Sequence, residues 1–120
     1  MVQKVNLAEK LALFHDQWSP KIVGEVNDSH VKLVKVQGEF VWHAHDAEDE
    51  LFLVLRGRLT IELRDGAVRL DPGELVVIPR GVEHRPVAVE ETHVLLFERD
   101  SIRHTGNVVD PRTVAEFERI

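Results

Sequence analysis

The chain has 120 residues, no cysteine and a formal net charge of −6. That length makes one domain with a real hydrophobic core. The absence of cysteine excludes disulfides and thiolate chemistry and fits a reducing cytoplasm. The acidic balance argues against non-specific nucleic-acid binding, which relies on excess Lys and Arg. Residues 1–10 hold no apolar core of signal-peptide length, and no apolar run approaches the ~20 residues of a membrane span, so a cytoplasmic protein without a membrane partner is expected.

Asn6 and Glu9 form a capping pair that starts a short helix over 7–14, with Leu7, Leu11 and Phe14 on one stripe. Trp18-Ser19-Pro20 stops it. Residues 22–26 and 30–37 alternate apolar and polar around Asn27-Asp28 and predict a hairpin. Gly38 breaks the pattern, and a strand is expected over 40–45. After an acidic loop, residues 50–56 read as a strand with a wholly apolar interior. Leu59, Ile61 and Leu63 alternate with Thr60, Glu62 and Arg64, which predicts an inward and an outward face. Asp65-Gly66 is the strongest hairpin turn, followed by a return through Val68 and Leu70. Asp71-Pro72-Gly73 and Pro79-Arg80-Gly81 are turns flanking a strand at 75–78. Residues 82–89 read as extended, with an edge or a bend at Pro86, and 92–98 as a last clear strand. Beyond Arg99 the signal weakens to a loop at 105–107 and a frayed turn or helix at 113–120. Many short strands with close turns mean an all-β sandwich or barrel.

Two stretches carry chemistry. His43-Ala44-His45-Asp46-Ala47-Glu48-Asp49-Glu50 is the first, and Pro79-Arg80-Gly81-Val82-Glu83-His84 the second. Two histidines two apart on a strand point to one face. Glu50 opens the next strand and can return across the acidic loop to face them, while His84 follows the Pro-x-Gly turn. Neutral imidazoles and an ionised carboxylate suit zinc, iron, nickel, manganese or copper. Glu48 and Asp49 are alternative carboxylates, with a solvated acidic turn as their simplest reading.

With the turns placed, the sequence resembles the cupin superfamily, in particular its small single-domain members. The family's first motif reads here Gly38, four residues, His43-Ala44-His45, four residues, Glu50, six residues, Gly57. The second reads Gly73, five residues, Pro79-Arg80-Gly81, two residues, His84. Two positions depart: the spacer after Gly38 is one residue short, and Ala88 stands where the motif often has Asn. Neither is a ligand position. The spacing to Gly57 selects Glu50 as the carboxylate.

The resemblance implies a single cupin domain over 1–120, a double-stranded β-helix or jelly-roll barrel with its core at about 20–98 and a C-terminal extension at 99–120. It implies one divalent transition metal (Fe, Mn, Zn, Ni or Cu) held by His43, His45, Glu50 and His84. It also implies a homodimer, with which the unbroken apolar run 51–55 is compatible, since a strand covered on both faces loses its alternation. His15, His30, His93 and His104 lie outside both motifs and read as surface or packing residues. Phe40, Trp42 and Trp18 read as packing, Arg80 and Arg85 as solvated cations. The expected function is a metal-dependent enzyme, dioxygenase-, isomerase- or lyase-like, acting on a small organic molecule in the barrel. The alternative is a non-catalytic metal-binding, ligand-binding or sensory module.

Overall fold

The computed structural model describes residues 2–120. Its elements are α1 (Leu7–Leu11), β1 (Lys21–Val26), β2 (Ser29–Glu39), β3 (Glu50–Arg56), β4 (Leu59–Leu63), β5 (Gly66–Leu70), β6 (Leu75–Ile78), β7 (His84–Arg99) and β8 (Glu118–Arg119). The strands form a jelly-roll barrel with a short N-terminal helix, as expected.

The barrel is built on a long antiparallel ribbon of β2 and β7. The far half of β7 also pairs with β3, which pairs with β6, and its near half pairs with β4, which pairs with β5. One ribbon therefore belongs to both walls. It bends between the pairs Val36↔Thr92 and Gly38↔Ala88, where β7 carries more residues than β2. Such a bulge sharpens the local twist. Gly38, inside β2 rather than ending it, takes φ 86° at this bend.

The inward stripes are Val34 and Val36 on β2, Phe52 and Val54 on β3, Leu59 and Ile61 on β4, and Val94 and Leu96 on β7. The inward face expected for Leu59 and Ile61 is present, and Leu63 packs against the same cluster.

Several expectations need correction. Residues 40–45 are extended but join no strand beyond an isolated bridge from His43 to His84. Pro86 supplies a reason. Phe40 donates its N–H to the Pro86 carbonyl at 2.9 Å, but proline has no N–H to return, so the β2 ladder stops there. Pro86 is not at an edge: it pairs with Ile61 on the other side. The two strands expected at 82–89 and 92–98 are one strand, β7. The hairpin at Asp65-Gly66 exists, but its loop residues are Arg64 and Asp65, and Gly66 pairs with Leu63.

The helix is capped as read, Asn6 Oδ1 accepting from the Glu9 N–H at 3.0 Å. It ends at Leu11, and a side chain takes up the carbonyls left there: Lys35 Nζ donates to Leu11 O and Phe14 O, each at 2.7 Å. The tail at 113–120 is no helix, and its Glu118–Arg119 pairs parallel with β1. No helix among the described residues is long and apolar enough to cross a membrane.

Gly57, between β3 and β4, presses on the bend of β7. Its φ is 89°, and a Cβ there would lie 2.5 Å from Thr92 Oγ1 and 3.0 Å from Thr92 Cα. Gly73 has a similar φ of 84° but open space around it. Gly73→Ala should therefore cost only the ~1–2 kcal/mol of a left-handed non-glycine residue. Gly57→Ala should cost that and a further ~1–3 kcal/mol of overpacking. Urea unfolding of both variants checks the ranking; equal midpoints would refute it.

Candidate metal centre

The backbone joins the two motif segments first. His43 N–H donates to His84 O at 3.1 Å, and His84 N–H returns to His43 O at 2.9 Å. Gly81 N–H donates to His45 O at 2.8 Å. Outside the cluster, Asp49 accepts from the Arg80 N–H at 2.9 Å and pairs with its guanidinium. Glu48 accepts from Ser101 at 2.9 Å. Both loop acids are thus engaged elsewhere, and Glu50 is the carboxylate that turns inward.

The side chains converge. One ligand atom each from His43, His45, Glu50 and His84 lie within 4.8 Å of one another, and all four residues are buried. His43 Nδ1 lies 2.9 Å from Val41 O, and His84 Nδ1 lies 2.9 Å from Val82 O. A proton on each Nδ1 satisfies that carbonyl and leaves Nε2 as a lone-pair donor, the usual arrangement around a metal-ligating histidine. His45 Nε2 and His84 Nε2 stand 3.2 and 3.5 Å from Glu50 Oε1, yet none of the three atoms makes a well-formed hydrogen bond. Buried polar atoms without partners are costly, and three aimed at one point fit a cation between them.

The electrostatics favour the ligand forms. Burial, reinforced by the neighbouring His84, pushes His43 down to about 4, so its ring is neutral near pH 7. Burial alone would raise Glu50, but the nearby Glu98, His45 and His84 outweigh it and hold the carboxyl well below its usual range. Glu98 moves the other way, raised by burial and by the charge of Glu50 against the pull of Lys32. Lys32 Nζ lies 3.0 Å from Glu98 Oε1, both fully buried, and sits over the Phe117 ring.

Sequence reasoning missed two members of this region. Glu98 lies directly across from Glu50 in the β3–β7 pairing. Its place on the inward stripe with Val94 and Leu96 was a usable signal. His104, read as surface or packing, is buried and lines the cavity beside His43 and Glu50. Neither of its ring nitrogens has a hydrogen-bond partner, although backbone groups of Arg112 and Trp18 lie near it. No periodicity in the tail announced it. Phe40 and Trp18 pack as read, stacked with centroids 4.5 Å apart, and also wall this cavity. Arg85 is paired with Glu62 rather than free, and Trp42 carries the Arg64 guanidinium.

The cavity is otherwise apolar and leaves about 40 Å³ in which the centre of a water molecule can move. That admits water or a compact ligand. The remaining histidines, His15, His30 and His93, take no part in the cluster.

Comparison with known proteins agrees with this architecture. The cupin domain family matches residues 30–98, more than half of the chain. The chain belongs to the cupin family. A crystal structure of a cupin-2 domain-containing protein from Shewanella frigidimarina NCIMB 400 is 48% identical, with a TM-score of 0.78, covering 79% of this chain and 93% of that one. Protein YdbB of Bacillus subtilis (strain 168) is 42% identical over 64 residues, which span 52% of this cupin and 57% of YdbB. Hydroquinone 1,2-dioxygenase from Sphingomonas sp. TTNP3 shares the fold, with a TM-score of 0.71 at 21% identity, over 83% of this chain and 33% of that one. A cupin with a His, His, Glu, His cluster fits metal binding.

The shift of His43 gives a pH dependence. The folded ring titrates near 4 against an ordinary 6.5, so between those values the unfolded chain binds more protons. The stability from the neutral ring is present above about pH 6.5 and lost as pH falls toward 4. Metal-free protein should show a falling thermal midpoint across that window, and His43→Gln a shallower fall. Parallel profiles would refute the assignment.

Proposed function

We propose that this cupin is a metal-dependent enzyme acting on a compact organic molecule in the barrel, with one divalent transition metal held by His43, His45, Glu50 and His84. The observation that carries the reading is the convergence of three partnerless buried atoms, His45 Nε2, His84 Nε2 and Glu50 Oε1, beside an apolar cavity. A metal there supplies Lewis acidity or, if redox-active, a site for dioxygen. Four protein ligands leave a five- or six-coordinate ion with open positions, the feature of catalytic rather than structural sites.

The chain's own residues define what enters. Phe40, Phe52, Leu59 and Trp18 exclude bulk water and favour an apolar body. His104, on the same cavity wall, has two partnerless ring nitrogens that offer a hydrogen bond to a polar group of the occupant. Glu50 is committed as a ligand, and Glu98, raised by burial and by the Glu50 charge, stands directly across from it. The reaction classes that fit are oxygen-using, isomerising and lyase-type. The small free volume of the cavity favours one second reading, a binding or sensory module that takes metal without turnover. Metal-dependent consumption of a substrate would remove it.

Protein purified without an affinity tag should carry close to one transition-metal ion per chain. His84→Ala should lose most of it while keeping its far-ultraviolet dichroism. His43→Ala serves as a second variant should His84→Ala misfold. Unchanged metal content in a folded variant would sink the reading.

The protein is also proposed to be a homodimer. Across β6, β3 and β7, Val77, Leu51 and Phe97 form one cross-strand row, and Leu75, Leu53 and Leu95 the next. Leu75, Val77 and Phe97 on this outer face are 55, 48 and 36% exposed. The N-terminal segment covers the outer face of β2 instead, through Phe14 and Lys35. An apolar sheet face of this kind fits a second copy. Light scattering should give twice the chain mass, and Val77→Glu with Phe97→Glu should give the single mass. A wild-type monomer at micromolar concentration would refute the dimer.

A further inference from the structure

The segment that carries His43 and His45 is paired on one side only by the barrel. His43 bonds to His84, and the His45 carbonyl to Gly81. In an extended chain the residue between them directs its backbone groups to the other side. That residue is Ala44, buried, and its partner there is the C-terminal tail.

Asn107 satisfies both groups. Ala44 N–H donates to Asn107 Oδ1 at 3.1 Å, and Asn107 N–H donates to Ala44 O at 3.0 Å. One residue thus plays the part of a neighbouring strand, its side-chain oxygen standing in for a backbone carbonyl. Gly106 makes the approach possible. Its φ is 61°, and a Cβ there would lie 2.3 Å from Ala44 O and 2.9 Å from His43 Cδ2. The turn is fixed from within: Gly106 N–H donates to Arg103 O at 2.8 Å, and Arg103 Nε donates back to Gly106 O at 2.8 Å. Thr105, fully buried, bonds through its hydroxyl to Thr113 at 2.8 Å. These tail residues, 103–113, lie outside residues 30–98, the part of the chain that matches the family.

We infer that Gly106 and Asn107 are positioning residues of the metal centre: by clamping the Ala44 peptide groups, the tail fixes where the His43 and His45 rings stand relative to Glu50 and His84. The inference rests on the proposal that these four residues bind metal. Loss of the clamp frees the Ala44 backbone to rotate, and both flanking histidines with it. The consequence is a change in metal affinity and coordination, beyond any general loss of stability.

The test uses full-length metal-free protein titrated with cobalt(II), whose visible spectrum reports coordination and whose affinity is read by competition with a chelator. Asn107→Ala should weaken cobalt binding by about 10- to 100-fold, the scale seen when a partner of a metal ligand is lost, and should alter the spectrum. Asn107→Asp keeps an oxygen to accept the Ala44 N–H and should return affinity to within a few-fold of wild type. Gly73→Ala, at the turn between β5 and β6, serves as a destabilised control and should bind cobalt as wild type does. Wild-type affinity and spectrum in Asn107→Ala would overturn the clamp, as would an Asp variant no better than the Ala one or equal weakening in the Gly73 control. A wild-type chain that takes up no cobalt would overturn the metal reading, and the clamp with it.

Discussion

The structure depends on the pairing of one strand. β7 bonds to β2 along one side and to β4 and then β3 along the other. Its near end carries His84 and its far end Glu98, so a single strand spans the site from the second motif to the residue facing Glu50. The end of the β2 ladder has a covalent origin. Pro86 cannot donate, the ladder with residue 40 loses one of its two bonds, and the chain from there to His45 leaves the sheet. The segment that brings the first two histidines is therefore held by separate contacts: a bridge to His84, a bond to Gly81 and the tail at Asn107.

The interior is unusual for so small a barrel because it buries Lys32, Glu50 and Glu98 along with four histidines. Burying charge is costly unless it is paired. Lys32 and Glu98 meet at 3.0 Å, yet several ring nitrogens and carboxylate oxygens, Glu50 Oε1 among them, remain without a partner. A fold that spends stability in this way puts those atoms at a site of function rather than in ordinary packing. The neutral state of His43 and the ionised state of Glu50 point the same way, since each is the form that donates a lone pair to a cation.

Much of the site was legible in the sequence. His43, His45, Glu50 and His84 were readable because they stand at fixed distances from glycines that the turns require, and two of those glycines, Gly38 and Gly57, do take positive φ at a bend and at a close contact. Alternation marked the inward face of β4. It failed at residues 40–45, where extended sequence lacks a ladder, and at the join within β7, where two apparent strands are one bent strand. Of the edge or bend read at Pro86, the edge is absent, because the missing N–H falls on the side where the partner, not the proline strand, departs.

The sequence by itself pointed to the fold class, to the four residues that converge and to part of the apolar lining, through turn chemistry, side-chain parity and the resemblance of its two motifs to the cupin family. Only the tertiary structure decided which groups meet across the chain. Glu98 faces Glu50 through strand register, His104 enters the cavity through the path of the tail, and Asn107 grips Ala44 through one asparagine side chain and a glycine's missing Cβ. Contacts of that kind join residues distant in sequence and leave no period along the chain, so they exist only once the barrel has closed.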